Sequence, residues 1–216
     1  MGSGARGTRA FLVVCMIGLA WFANPGLATP GVDDARGGAA VPYVQQRGLT
    51  FTDHTGRAVS ERDFSGRYML VFFGYTHCPD VCPGNLAIMA AAMRELGSMG
   101  EFVQPLFITF DPERDTPEVL AEYVPHFHPR LMGLTGSFEE IAAAARSYGV
   151  LFERNDAEEG ATASEYSLRH TARTYLIGPD GKGVAIFEHD SNAKEMAAEI
   201  LGVLERDRVL SSTGGL

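Results

Sequence analysis

The run Tyr68-Met69-Leu70-Val71-Phe72-Phe73 constrains the fold of this chain more than any other segment, because it has no polar face. A strand covered on one side alternates apolar and polar residues, whereas one buried on both sides reads as a continuous apolar run. The segment is therefore expected at the centre of a sheet with helices on both faces, as a parallel strand. Leu49-Thr50-Phe51-Thr52 alternates, and His54-Thr55-Gly56 supplies a turn before Val59, which predicts a small hairpin. Leu86, Met89, Ala90, Met93 and Leu96 mark one helical stripe that Gly97 can stop. Val103 to Phe110 reads as the next strand. Thr116 can cap a helix that starts at Pro117 and runs to about Phe127, since a proline in the first turn loses no hydrogen bond. Ser137 and Glu140 make a capping box for a further helix, closed by Gly149. Thr174 to Ile177 and Val184 to Phe187 flank the turn Gly178-Pro179-Asp180-Gly181, and an amphipathic helix follows from about Ala193 to Arg206. This order describes an α/β fold: a central mixed sheet flanked by helices, with an N-terminal hairpin.

Directly after the central strand comes Cys78-Pro79-Asp80-Val81-Cys82-Pro83. Two thiols at a strand-to-helix junction can form a disulfide, exchange electrons with another dithiol, or hold a soft metal ion. Asp80 is placed to cap the helix, which puts Cys82 and Pro83 in its first turn, where proline is tolerated. The free N–H groups and dipole of a helix N-terminus favour thiolate, the form that attacks disulfides and binds metal. Three intervening residues depart from the two of the ordinary redox pair and fall within the spacing of metal-binding cysteine pairs. A purely structural disulfide across so short a loop gains little chain entropy.

The first 28 residues read as something other than the folded domain. Arg6 and Arg9 precede the apolar run from Phe11 to Ala23, and small residues follow up to Ala28. That pattern is an export signal, with a short membrane anchor as the rival; about 20 apolar residues are needed to cross a bilayer. Cys15, inside the run, is a bystander. Residues 29–47 are a Gly-, Ala-, Pro- and charge-rich linker, and the folded domain is expected over 48–210. Without residues 1–28, which carry two arginines and no acid, the formal charge moves from −9 to −11. An acidic chain with no basic cluster gives no reason to expect nucleic acid as a partner. Export to the periplasm or the outer face of the inner membrane, with membrane association through the N-terminus, also takes the thiols out of a reducing compartment.

A dithiol at the end of the first central strand, with a hairpin and helix to finish, is similar to a thioredoxin-type fold. Such proteins usually place a cis-proline opposite the dithiol, before the hairpin strand. Here that loop is Ser167-Leu168-Arg169-His170-Thr171-Ala172, without proline, and His170 could close a site of two sulfurs and one nitrogen. Thiolate plus imidazole suits copper, above all the reduced ion, and also zinc. The other candidates are weaker. His77 adjoins Cys78 but reads as an exposed loop residue, and His126 and His128 lie among prolines at a helix end. Met89 and Met93 have core spacing. Asp111, Arg114 and Asp115 read as a cluster that fixes a loop.

Three ordered motifs then resemble the Sco/SenC family: Phe73-Gly74-Tyr75-Thr76-His77-Cys78-Pro79-Asp80-Val81-Cys82-Pro83, Asp111-Pro112-Glu113-Arg114-Asp115-Thr116-Pro117, and His170-Thr171 ahead of Tyr175-Leu176-Ile177-Gly178-Pro179-Asp180-Gly181. Leu168-Arg169 stands before His170, where the family often has valine and aspartate. The resemblance implies a thioredoxin-like copper protein that assists assembly of the binuclear copper site of cytochrome c oxidase, with Cys78, Cys82 and His170 as ligands. It also implies a copper-accepting oxidase subunit as partner, with other copper or thiol carriers as further partners. The alternative is an exported thiol–disulfide oxidoreductase, with Cys78 and Cys82 as its redox pair, that reduces cysteines of a partner protein.

Overall fold

A computed structural model describes residues 48–155 and 166–213, with side chains described as far as Arg208. The expected signal, anchor and linker, Cys15, and most of the polar stretch after Asn155 lie outside the described residues.

Seven strands form the main sheet in the order β2 (Ala58–Ser60), β1 (Thr50–Asp53), β5 (Met132–Thr135), β4 (Val103–Thr109), β3 (Tyr68–Gly74), β8 (Thr174–Ile177) and β9 (Gly183–Phe187). At its centre β3 (Tyr68–Gly74) is buried along its whole length. It pairs parallel with β4 (Val103–Thr109) and antiparallel with β8 (Thr174–Ile177). The expectation of a two-sided strand holds, with parallel pairing on one edge only. Alternation sends Phe72 and Phe73 to opposite faces, both fully buried. Phe72 stacks on Phe107, and Phe73 meets Tyr148 of α3 (Phe138–Tyr148) edge-on at 5.0 Å. Burying each such side chain stabilises the fold by about 1.5–3 kcal/mol.

The predicted N-terminal hairpin is β1 (Thr50–Asp53) with β2 (Ala58–Ser60). The C-terminal one is β8 with β9 (Gly183–Phe187). Helix α1 (Val81–Glu95) follows the thiol loop and packs against α4 (Ala193–Thr213), which extends beyond the expected end at Arg206. Helix α2 (Pro117–Tyr123) begins as predicted, with Thr116 Oγ1 accepting the Val119 N–H, and ends in a 3-10 turn through His126. At α3 the capping box of Ser137 and Glu140 and the left-handed Gly149 are both present. Met89 and Met93 are core residues, as their spacing predicts.

Two elements escape the sequence patterns. Strand β5 (Met132–Thr135) continues the sheet beyond β4, parallel to it. Glycine at 133 weakens a strand pattern, yet packing requires it: a Cβ there would stand 3.0 Å from Leu120 Cβ and from Val124 Cγ1 of the overlying segment. The second is a separate ribbon of β6 (Phe152–Asn155) and β7 (Ser167–His170), antiparallel with Phe152 opposite His170. His170 thus ends a strand, where a loop was expected. The ribbon is mostly exposed, so its residues carry only one apolar anchor each, Phe152 and Leu168, and no readable period.

Candidate metal centre

The site begins where β3 ends. Close packing at Gly74 turns the chain into the thiol loop: a Cβ there would lie 2.8 Å from Cys82 Sγ. Phe110 N–H donates to the Gly74 carbonyl at 3.1 Å, and Cys78 N–H to the Tyr75 carbonyl at 3.3 Å. Asp80 occupies the N-cap position of α1 with no side-chain capping bond, a correction to its expected role. The cap is instead supplied by sulfur, since the Cys82 N–H donates to Cys78 Sγ at 3.4 Å.

Both cysteines are free, Cys78 half-buried and Cys82 fully buried. His170, from β7, brings Nε2 to 3.4 Å from Cys82 Sγ. One ligating atom from each of Cys78, Cys82 and His170 lies within 4.8 Å of the others. His170 Nδ1 is 3.1 Å from the Thr171 carbonyl, a contact in which the nitrogen must donate. That assigns the proton to Nδ1 and leaves the Nε2 lone pair turned to the sulfurs, the tautomer a metal needs. Burial lowers the His170 pKa against the opposing effect of that hydrogen bond, which keeps the ring neutral. The thiol does not follow the helix-terminus expectation. Burial pushes the Cys82 thiol well up, although a hydrogen bond from the Tyr75 backbone works the other way. Without a cation, desolvation outweighs the dipole; a bound cation reverses that balance by holding the thiolate directly.

The loop Asp111–Asp115 braces both halves of the site. Asp115, buried, accepts Thr76 N–H at 2.9 Å, Thr76 Oγ1 at 2.5 Å and Thr109 Oγ1 at 2.6 Å, which ties down the thiol loop. Asp111 pairs with Arg114 at 2.6 Å and accepts the Tyr166 hydroxyl at 2.5 Å. Arg114 lies 3.6 Å over the Tyr166 ring and donates to its carbonyl at 3.2 Å, which ties down the start of β7. The loop-fixing reading of Asp111, Arg114 and Asp115 therefore holds. His77, Asp111 and Asp115 also bring ligand atoms within 4.8 Å of one another, but both carboxylates are already engaged by these donors. His77 is exposed, beside Thr76 Oγ1. His126 is exposed too, while His128 Nδ1 accepts the Arg130 N–H, and neither joins a metal-ligand group among the described residues. Arg169 is exposed, opposite Glu153, while its neighbours Leu168 and His170 face inward, so its charge points away from the sulfurs. Sequence reading missed Tyr75, Thr76 and Tyr166; the first two stand in the thiol motif, and only the fold shows what they touch.

The SCO1/SenC family model matches residues 43–205. The mitochondrial SCO1 homolog of Homo sapiens is 42% identical over 154 residues, covering 70% of this chain and 50% of that protein. Protein sco1 of Schizosaccharomyces pombe is 38% identical over 153 residues, covering 70% and 58%. The chain thus spans about half the length of these curated relatives. Among solved structures, Arabidopsis thaliana ScoI with copper bound has a TM-score of 0.66 at 35% identity, covering 79% of this chain and 99% of that one. Bradyrhizobium japonicum ScoI with copper bound has a TM-score of 0.64 at 39% identity, covering 73% and 96%. From three ordered motifs, a thioredoxin-like sheet and these matches, the chain belongs to the SCO1/SenC family.

Proposed function

We propose that this chain is a copper metallochaperone for assembly of the binuclear copper site of cytochrome c oxidase, with Cys78, Cys82 and His170 as the copper ligands. One observation carries the reading: the Nε2 lone pair of a neutral imidazole faces two free thiols, with all three donor atoms within 4.8 Å. Two soft sulfurs and one imidazole nitrogen form a donor set suited to reduced copper. The copper-bound state of the solved relatives supports the same cargo. Binding displaces the thiol protons, and the half-buried Cys78 is the ligand an acceptor reaches first. Release then proceeds by ligand exchange toward a copper-accepting oxidase subunit.

The same reading assigns residues 1–28 to an export signal or short anchor and 29–47 to a tether, delivering the domain to the periplasm or the outer face of the inner membrane. Among the described residues no helix is long and apolar enough to cross a membrane. Fractionation of cells expressing the full chain tests this placement, and recovery of the chain in the cytosol alone would refute it.

The site is tested by anaerobic copper(I) titration of the reduced protein. One copper per chain is expected, lost when the pair is oxidised. His170→Ala should lose tight binding while keeping dithiol reactivity, which separates a copper carrier from a thiol–disulfide oxidoreductase. Unchanged stoichiometry and affinity in that variant would overturn the three-ligand site.

A further inference from the structure

The three donors come from two separate pieces of the fold. The thiols stand between β3 and α1 in the main body, whereas His170 ends a strand of the β6–β7 ribbon, which is not hydrogen-bonded into the main sheet. The distance between imidazole and sulfur therefore depends on what docks the ribbon. One buried residue of the thiol loop touches both pieces. Tyr75 is 3% exposed. Its phenol oxygen accepts the Leu168 N–H at 3.2 Å, a buried bond across 93 residues of sequence. Its ring meets that of His170 edge-on, with centroids 6.2 Å apart, and leans on Phe110 at 5.6 Å. Its carbonyl accepts the Cys78 N–H.

We propose that Tyr75 is the positioning residue of this metal centre, its phenol oxygen fixing the strand that carries His170 at the level of the two sulfurs. The proposal rests on the ligand set put forward above. Strand geometry supplies the mechanism. Leu168 and His170 are two residues apart on β7 and face the same way, so pinning the Leu168 N–H fixes where the imidazole lands one repeat further on. The reach of Tyr75 extends to a second donor, because its carbonyl accepts the Cys78 N–H at 3.3 Å. Its phenol thus bears on the His170 strand and its own peptide group on Cys78. The Asp111–Arg114–Tyr166 clamp holds the residue before the same strand, and Tyr75 holds its second residue, one repeat from the ligand.

Tyr75→Phe tests this, because it keeps the ring contacts and removes only the oxygen. The Leu168 N–H is then left in a buried place without an acceptor, and the strand must shift to find one. Anaerobic competition with a copper(I) chelator should show the dissociation constant rising about tenfold, the scale set by one lost buried acceptor. The same substitution placed in His170→Ala should change affinity less than about twofold, since coupled residues lose their interaction together. A merely structural defect would lower affinity equally in both backgrounds. An unchanged constant in Tyr75→Phe, or an equal loss in the His170→Ala background, would overturn the proposal while leaving the ligand set standing. If His170→Ala alone had wild-type affinity, the ligand set would fall and the positioning role with it.

Discussion

Gly74→Ala is the smallest change that probes how tightly the thiol loop is seated. An added Cβ would lie 2.8 Å from Cys82 Sγ, 2.8 Å from Phe107 Cε2 and 3.0 Å from Phe72 Cε1. Comfortable carbon contacts are about 3.5–4.0 Å, so three neighbours must each retreat by roughly 0.5–1 Å. All three are fully buried, and Phe72 and Phe107 are stacked on each other, so none has free space to enter. Overpacking of this kind costs about 1–3 kcal/mol. The backbone itself raises no objection, because Gly74 is not among the positive-φ glycines. Its replacement restrains the unfolded chain and offsets about 0.4–1 kcal/mol. The net expectation is a loss of about 1–2 kcal/mol. Urea unfolding of the reduced, metal-free protein reads this as a midpoint about 0.5–1 M lower with an unchanged slope. Copper affinity should fall as well, since Cys82 Sγ is one of the atoms pushed aside. A midpoint equal to or above that of the parent would show that the end of β3 accepts a methyl group, and the close-packing account of the site would be wrong.

Two further outcomes test the parts that brace the site and the sheet edge. Asp115→Ala removes the acceptor of two threonine hydroxyls and one backbone N–H and should cost about 3 kcal/mol in the same urea assay; Asp115→Asn should recover part of it, and a loss under about 1 kcal/mol would contradict the bracing role. Asp53 is fully buried, which by itself would raise its pKa, but hydrogen bonds from Thr55 and Arg57 prevail and hold the carboxyl down at about 2 against 3.8. A folded-state pKa below the unfolded one means stability is fully present above pH 3.8 and lost as pH falls toward about 2. Asp53→Asn should therefore flatten the acid limb of stability against pH by about 1–2 kcal/mol; parallel curves for the two proteins would refute the assignment.

By itself the sequence determined most of what rests on local chemistry and period, the expected Asp80 cap being the exception. The two-sided apolar run named the central strand, Thr116, Ser137 and Gly149 named helix ends, and the dithiol stood in its own motif at the strand-to-helix junction. His170 was reachable because a family motif repeats its place in the chain. Tertiary structure decided the rest, for two physical reasons. The short elements β5 and the β6–β7 ribbon carry too few apolar residues to show a period, and contacts with α2, Phe110 and Tyr75 define them instead. Desolvation is likewise a property of what surrounds an atom. The thiol loop promised a stabilised thiolate, yet burial of Cys82 raises its pKa in the metal-free protein. Only packing shows that one tyrosine joins the two pieces of the site, since 93 residues separate Tyr75 from the N–H it holds.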